Sequence, residues 1–135
     1  MAGYSGKPLV EKFGIKKEFI IVLVNPPKQY LNLVAPLPDG VTITKNITGK
    51  TDLIHLFVTT KVDLTKMLTT TLSKMKQDAV IWVSWPKKSA NVPTDITEDR
   101  IRDIALPLGL VDIKVCAVDD VWSGLKLVIR KENRK

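Results

Sequence analysis

The sequence predicts an open, mostly parallel α/β sheet in three layers, closed at the C-terminal end by an antiparallel hairpin. Three observations lead there. Unbroken apolar runs recur near 18–24, 53–58 and 79–85, the pattern of strands buried on both faces. Segments with a 3.6-residue apolar stripe separate some of these runs, so helices cover the sheet on both sides. The last two β runs, 112–118 and 124–130, are linked only by Asp119-Asp120-Val121-Trp122-Ser123, too short for a parallel crossover.

The elements follow in order. Residues 1–6 read as a loose tail, and Pro8 to Phe13 as one helical turn stopped by Gly14. The first strand runs from about Glu18 to Val24. Asn25 is expected to cap the next helix, with Pro26 or Pro27 at its first position. That short helix is expected to bury Tyr30, Leu31 and Val34 and to stop at Pro36 and Pro38. Val41–Lys45 alternates like a half-exposed strand. Leu53–Val58 is a second buried strand. Between these two lies a connection shorter than a parallel crossover usually needs. Either the chain returns in extended form, or the two strands pair antiparallel.

Thr60 and Asp63 resemble a capping box. Behind them Leu64, Met67, Leu68, Thr71, Leu72 and Met75 form one stripe. Ala79–Trp85 is a third buried strand, and a polar loop runs from Ser89 to Asp95. Thr97 caps a further helix whose first turn holds Glu98 and Asp99, with Ile101, Ile104, Ala105 and Leu108 expected inward. Pro107 and Gly109 close it, and residues 131–135 read as a second tail. No internal repeat or linker divides the chain, so residues 1–135 are expected to form one domain.

Composition narrows the class. Hydrophobic residues make up 44% and charged residues 26% of 135, an ordinary globular balance. No window approaches the ~18 apolar residues of a membrane helix. The N-terminal residues lack an apolar signal core, and Ala2 does not suit myristoylation. With Cys116 the single cysteine, no internal disulfide forms, and a cytoplasmic setting is expected. The Asn46-Ile47-Thr48 sequon then carries no meaning. A net charge of +7 favours anionic partners in general. The lysines are scattered and no nucleic-acid recognition motif is present, so nucleic acid is not the expected partner.

The element order β-α-β-β-α-β-α-hairpin, ending on Trp122-Ser123-Gly124-Leu125-Lys126-Leu127-Val128-Ile129-Arg130-Lys131, resembles the second half of class I methyltransferases. Those Rossmann-like enzymes end in a reversed strand slotted into a parallel sheet. More closely, the whole chain resembles a family of small bacterial proteins known only as a domain of unknown function. The stretches that carry this likeness are Ala2–Leu9, Lys12–Lys16, Trp82–Lys88, Thr94–Asp99 and Gly109–Asp112 through Arg130. The resemblance implies a truncated methyltransferase-like fold and assigns no chemistry. Three departures from the methyltransferases stand out. The turn after the first strand reads Asn25-Pro26-Pro27 where a glycine loop would let the backbone approach a phosphate or nucleoside. Lys45 stands where an acidic residue would hold a ribose. A helix and a strand of the cofactor half are missing.

Asn25-Pro26-Pro27 also resembles the Asn-Pro-Pro-aromatic tetrapeptide of amino-directed DNA methyltransferases. The fourth residue here is Lys28, and Tyr30 comes two positions late. Capping already explains the triplet. His55, the single histidine, sits among Ile54, Leu56 and Phe57 and reads as a core residue bonded to a neighbour. It has no His or Cys at ligand spacing, so no metal site is expected. Cys116 lies mid-strand and reads as a small hydrophobe. No catalytic residue is assigned.

Open α/β sheets bind ligands beyond the carboxyl ends of their strands. That edge should gather Asn25, Lys28, Thr59, Trp85, Lys87, Lys88, Asp95, Asp119, Trp122 and Ser123, with Lys87 and Lys88 as anion holders and Trp85 or Trp122 as stacking faces. The expectation is a non-catalytic binding or regulatory module that takes a small anionic ligand or a protein partner, with a homodimer through an edge strand as one form of association. No cofactor is expected. The alternatives are an S-adenosylmethionine-dependent methyltransferase with an atypical cofactor loop and a weak nucleic-acid binder.

Overall fold

A computed structural model describes residues 8–135; the expected tail at 1–6 lies outside the described residues. Six strands form one sheet: β1 (Ile20–Val24), β2 (Thr42–Thr44), β3 (Leu53–Phe57), β4 (Val80–Pro86), β5 (Leu110–Ala117) and β6 (Trp122–Ile129). Their spatial order is β2-β1-β3-β4-β6-β5. β1 pairs parallel with β2 and β3, and β3 parallel with β4. β6 runs antiparallel between β4 and β5, the reversed strand that the resemblance implies.

The short connection resolves as the extended return. β2 and β3 both lie parallel to β1 on its two sides, so residues 45–52 cross β1 without a helix. Ile47 tucks this segment against the core. Asp52 then locks it: its backbone N–H donates to the Ile20 carbonyl, and its carboxylate accepts from the Ile20 N–H and from the Lys76 ammonium.

Strand alternation divides the core into two layers. Val22, Leu56, Ile81, Val83, Trp85, Leu125 and Leu127 face α3 (Lys61–Lys74) and α4 (Glu98–Ala105), which contribute Leu64, Leu68, Ile101 and Ala105. Ile21, Leu53, Phe57 and Trp82 face the other way, under Phe13, Tyr30 and Val34. Those three come from the region of α1 (Leu9–Lys12) and α2 (Tyr30–Val34), each about one turn long. Both predicted caps form: Thr60 accepts from the Asp63 N–H, and Thr97 from the Arg100 N–H. Arg102 ties α4 to β5 by an ion pair to Asp112 and also pairs with Glu98 and Asp99 of its own helix.

Four details correct the sequence reading. Asn25 does not cap α2. It sits at φ 55°, a left-handed conformation that asparagine tolerates, and the prolines after it carry the chain on before the helix begins. The cap position falls to Gln29, whose side chain makes no capping bond. Leu31 is 54% exposed, because so short a helix turns only its i and i+4 positions, Tyr30 and Val34, to the sheet. Leu108 is exposed, because α4 tightens into a 3-10 turn at Leu106–Leu108. Residues 131–135, expected as a tail, hold a 3-10 turn at Lys131–Asn133 and reach back to Ile129 and Gln77.

Candidate functional site

The carboxyl ends of β1, β3 and β4 and the β5–β6 turn share one edge of the sheet, and every predicted site residue lies on or beside it. What their side chains do there differs from the expectation. Trp85 is only 7% exposed and belongs to the core under α3 and α4, so it offers no stacking face. Trp122 is half-buried and meets the Phe57 ring edge-on at 5.1 Å between centroids. The two tryptophans sit on opposite sides of the sheet.

Two carboxylates on this edge, Asp119 and Asp95, are engaged, while Asp120 in the hairpin turn is exposed. Asp119 Oδ1 accepts from the backbone N–H groups of Val121 (2.8 Å) and Trp122 (2.7 Å), which builds the hairpin turn. Its Oδ2 accepts from Gln29 Nε2 at 3.3 Å, a bridge from the loop after β1. Asp95 Oδ1 accepts from the Lys61 N–H at 2.8 Å and so satisfies an orphan donor at the start of α3. The Thr59 carbonyl accepts from the Thr94 hydroxyl and the Asp95 N–H, so the 89–95 loop is fastened down across the end of β3. The Lys87 N–H donates to the Val121 carbonyl at 2.7 Å and joins β4 to the hairpin turn. Ser123 is half-buried opposite Trp85 in the ladder.

Apart from Asp120, the charged groups that stay open are cationic. Lys28 and Lys88 are exposed, Lys87 is half-exposed, and none of the three is ion-paired among the described residues. Lys28 adjoins Gln29, and Lys87 is bonded to Val121, so both flank the Asp119 turn. Beside the end of β1, a hollow of about 220 Å³ lined by Val24, Leu56 and Met67 is smaller than ligand pockets usually are. A groove of about 850 Å³ runs along the outer side of α3 past Lys61, Thr65 and Thr69.

Deeper in, three residues form a chain that local sequence does not reveal. The Tyr30 hydroxyl lies 3.0 Å from His55 Nδ1, and Ser84 Oγ lies 2.7 Å from His55 Nε2. Burial lowers the His55 pKa to about 3, so the ring is neutral; the nitrogen with the proton donates and the other accepts. Burial also raises the Tyr30 phenol above its usual range. His55 and Ser84 are fully buried, so this Tyr-His-Ser chain ties α2, β3 and β4 together inside the core. Burial raises the Cys116 thiol as well, against the pull of Lys12 and Lys114, which keeps it protonated. Among the described residues, no three His, Cys, Asp or Glu side chains converge as a metal site requires.

A family profile described as a protein of unknown function (DUF3052) matches residues 41–131, well over half of the chain. The chain belongs to this family. β1 and the proline turn precede the matched residues. No curated protein matches the sequence. Among solved structures, the chain is similar to an S-adenosylmethionine-dependent methyltransferase from Aquifex aeolicus, with TM-score 0.62 and 14% identity over 90% of this chain and 87% of that one. It is also similar to a tRNA methyltransferase from B. subtilis (TM-score 0.58, 11% identity, 95% and 67% covered). A third likeness is to the fibrillarin pre-rRNA processing protein of Methanococcus jannaschii (TM-score 0.54, 12% identity, 96% and 72% covered). At such identities these likenesses show a Rossmann-like, methyltransferase-like fold. No helix among the described residues is long and apolar enough to cross a membrane.

Proposed function

We propose that this domain is a binding or regulatory module on a methyltransferase-like scaffold that does not transfer methyl groups. Its ligand is a small anion, drawn to the strand-end edge by Lys28, Lys87 and Lys88. One observation carries this reading. On that edge Asp95, Asp119 and Trp85 are tied into the fold, while three lysines, outnumbering the exposed Asp120, are left to solvent. Two prolines in the turn after β1 remove two of the N–H donors that a phosphate or nucleoside grip relies on. The composition and the single cysteine support a cytoplasmic setting.

Titration of pyrophosphate into isotope-labelled protein tests the anion site. Saturable shifts at the amides of Lys28, Lys87 and Lys88 are expected, and the Lys87→Ala/Lys88→Ala double variant should lose them. No saturable shift, or shifts unchanged in the double variant, overturns it.

A second reading has its own support. The likeness to the Aquifex aeolicus enzyme extends over 87% of that chain, so a methyltransferase can be little larger than this domain. An S-adenosylmethionine-dependent enzyme with an atypical cofactor loop would carry its cofactor through purification. Mass spectrometry of the denatured, freshly purified protein separates the two readings.

A further inference from the structure

Among the described residues, no α-helix covers the amino-end part of one sheet face. α1 and α2 gather over Phe13, His55, Phe57 and Trp82. Beyond them, toward the amino end of β4, Val80, Val111 and Val128 lie on one face, because the ladder pairs Val80 with Val128 and Val111 with Val128. They floor a cavity of about 540 Å³. Small-molecule sites commonly have volumes of about 300–1,000 Å³. The cavity is at the opposite end of β4 from Lys87, so it is separate from the strand-end edge.

Its charge is mainly positive. Lys126 lines the cavity, and the ladder sets Lys114 directly opposite it on the same face. Like charges facing each other across an antiparallel pair destabilise a sheet. Lys16 comes near as well. Burial, Lys114 and Lys16 hold the Lys126 ammonium below its usual range. No carboxylate among the described residues is ion-paired with these three lysines, and residues 1–7 contain no Asp or Glu. At the other wall stand Arg130, Lys131 and Arg134, facing Asp78 and Glu132, and Glu132 is already bound to Arg130. A half-buried lysine held against two others next to an apolar floor is unfavourable by itself. It becomes favourable when an anion with an apolar body fills the space.

We propose that this cavity binds a soluble organic anion with an apolar body, of which a medium-chain carboxylate is the simplest case. The hydrocarbon lies on Val80, Val111 and Val128, and the carboxylate meets Lys126 and offsets the charge of the neighbouring Lys114, whose ammonium stands 6.0 Å from the Trp82 ring centroid.

Octanoate is the probe, titrated by calorimetry and by methyl NMR at physiological salt. Saturable one-to-one binding is expected, with shifts at the methyls of Val80, Val111 and Val128. Acetate, which lacks the body, and 1-octanol, which lacks the charge, should each bind at least tenfold more weakly. Lys126→Met keeps the apolar stem and removes the charge. It should lower octanoate affinity at least tenfold, with no fall in thermal midpoint. Lys114→Met repeats the test should that variant fail to fold. The Lys87→Ala/Lys88→Ala double variant should bind octanoate like the parent, which separates this site from the strand-end anion site. Absence of saturable binding, equal binding of 1-octanol, or unchanged affinity in both methionine variants overturns the proposal.

Discussion

The Tyr30 hydroxyl and His55 Nδ1 meet at 3.0 Å although 25 residues separate them, and their bond joins α2 to the middle of β3. The His55 ring stacks on Phe57 at 4.3 Å and takes the face or edge of Phe13 at 5.0 Å. An imidazolium in this setting would lose its water, which is why the folded-state pKa falls to about 3.

Stability should therefore fall in mild acid. The unfolded chain binds a proton at His55 near pH ~6.5, whereas the folded chain does not until pH nears 3. Between these values the unfolded state holds more protons, so stability is complete above the upper one and declines as pH drops toward the lower one. The slope from this residue approaches about 1.4 kcal/mol per pH unit. Urea midpoints from pH 7.5 to 4.5 should show the decline. His55→Gln should be less stable at neutral pH and should have a flatter profile from 6.5 to 5. Equal slopes in parent and variant would contradict a neutral buried His55.

Gly124 makes room for Trp82. A Cβ at this position would stand 3.3 Å from Trp82 Cε3 and 3.3 Å from Val118 Cγ2, both fully buried. Gly124→Ala should lower stability by about 1–3 kcal/mol through overpacking. Denaturant unfolding followed by tryptophan fluorescence checks it. A neutral result would mean that the sheet yields there without strain.

Asp119 is a turn-building residue. Asp119→Ala removes the acceptor for two backbone N–H groups and should lower stability by about 1–2 kcal/mol. Its readout is the thermal midpoint, together with faster amide exchange at Val121 and Trp122. A carboxylate reserved for a ligand would leave both unchanged.

Asn25 holds its place by backbone conformation. Asn25→Val puts a β-branched residue at φ 55° and should lower stability by about 1–2 kcal/mol, whereas Asn25→Gly should be close to neutral. Equal losses in both variants would point instead to a role for the amide side chain.

The legible parts of the sequence are those that local chemistry decides. Apolar runs announced β1, β3 and β4, and the 3.6-residue stripe with Thr60 announced α3. The five-residue link announced the hairpin, and two alternatives for residues 45–52 were open until the register of β1 chose between them. The rest depends on partners distant in the chain. Asp95 is expected on the ligand rim at the end of a polar loop, yet its carboxylate is bonded to the start of a helix that begins 34 residues earlier. Trp85, at the end of a buried run, is also expected as a stacking face, yet it lies under α3 and α4, whose placement no local pattern gives. Tyr30, His55 and Ser84 carry no shared motif because three separate elements bring them together. Lys126 and Lys114 face each other only once a bulge near Ile113 sets the register.

The most direct measurement is a calorimetric titration of the purified protein with S-adenosylmethionine, paired with amide shifts across residues 24–30. With Asn25 left-handed and two prolines behind it, no saturable binding below millimolar concentration and no shifts at Asn25, Lys28 or Gln29 are expected. Micromolar binding with shifts centred on those residues would show that the proline turn grips a nucleoside after all, and the reading of this fold as a non-catalytic scaffold would fall.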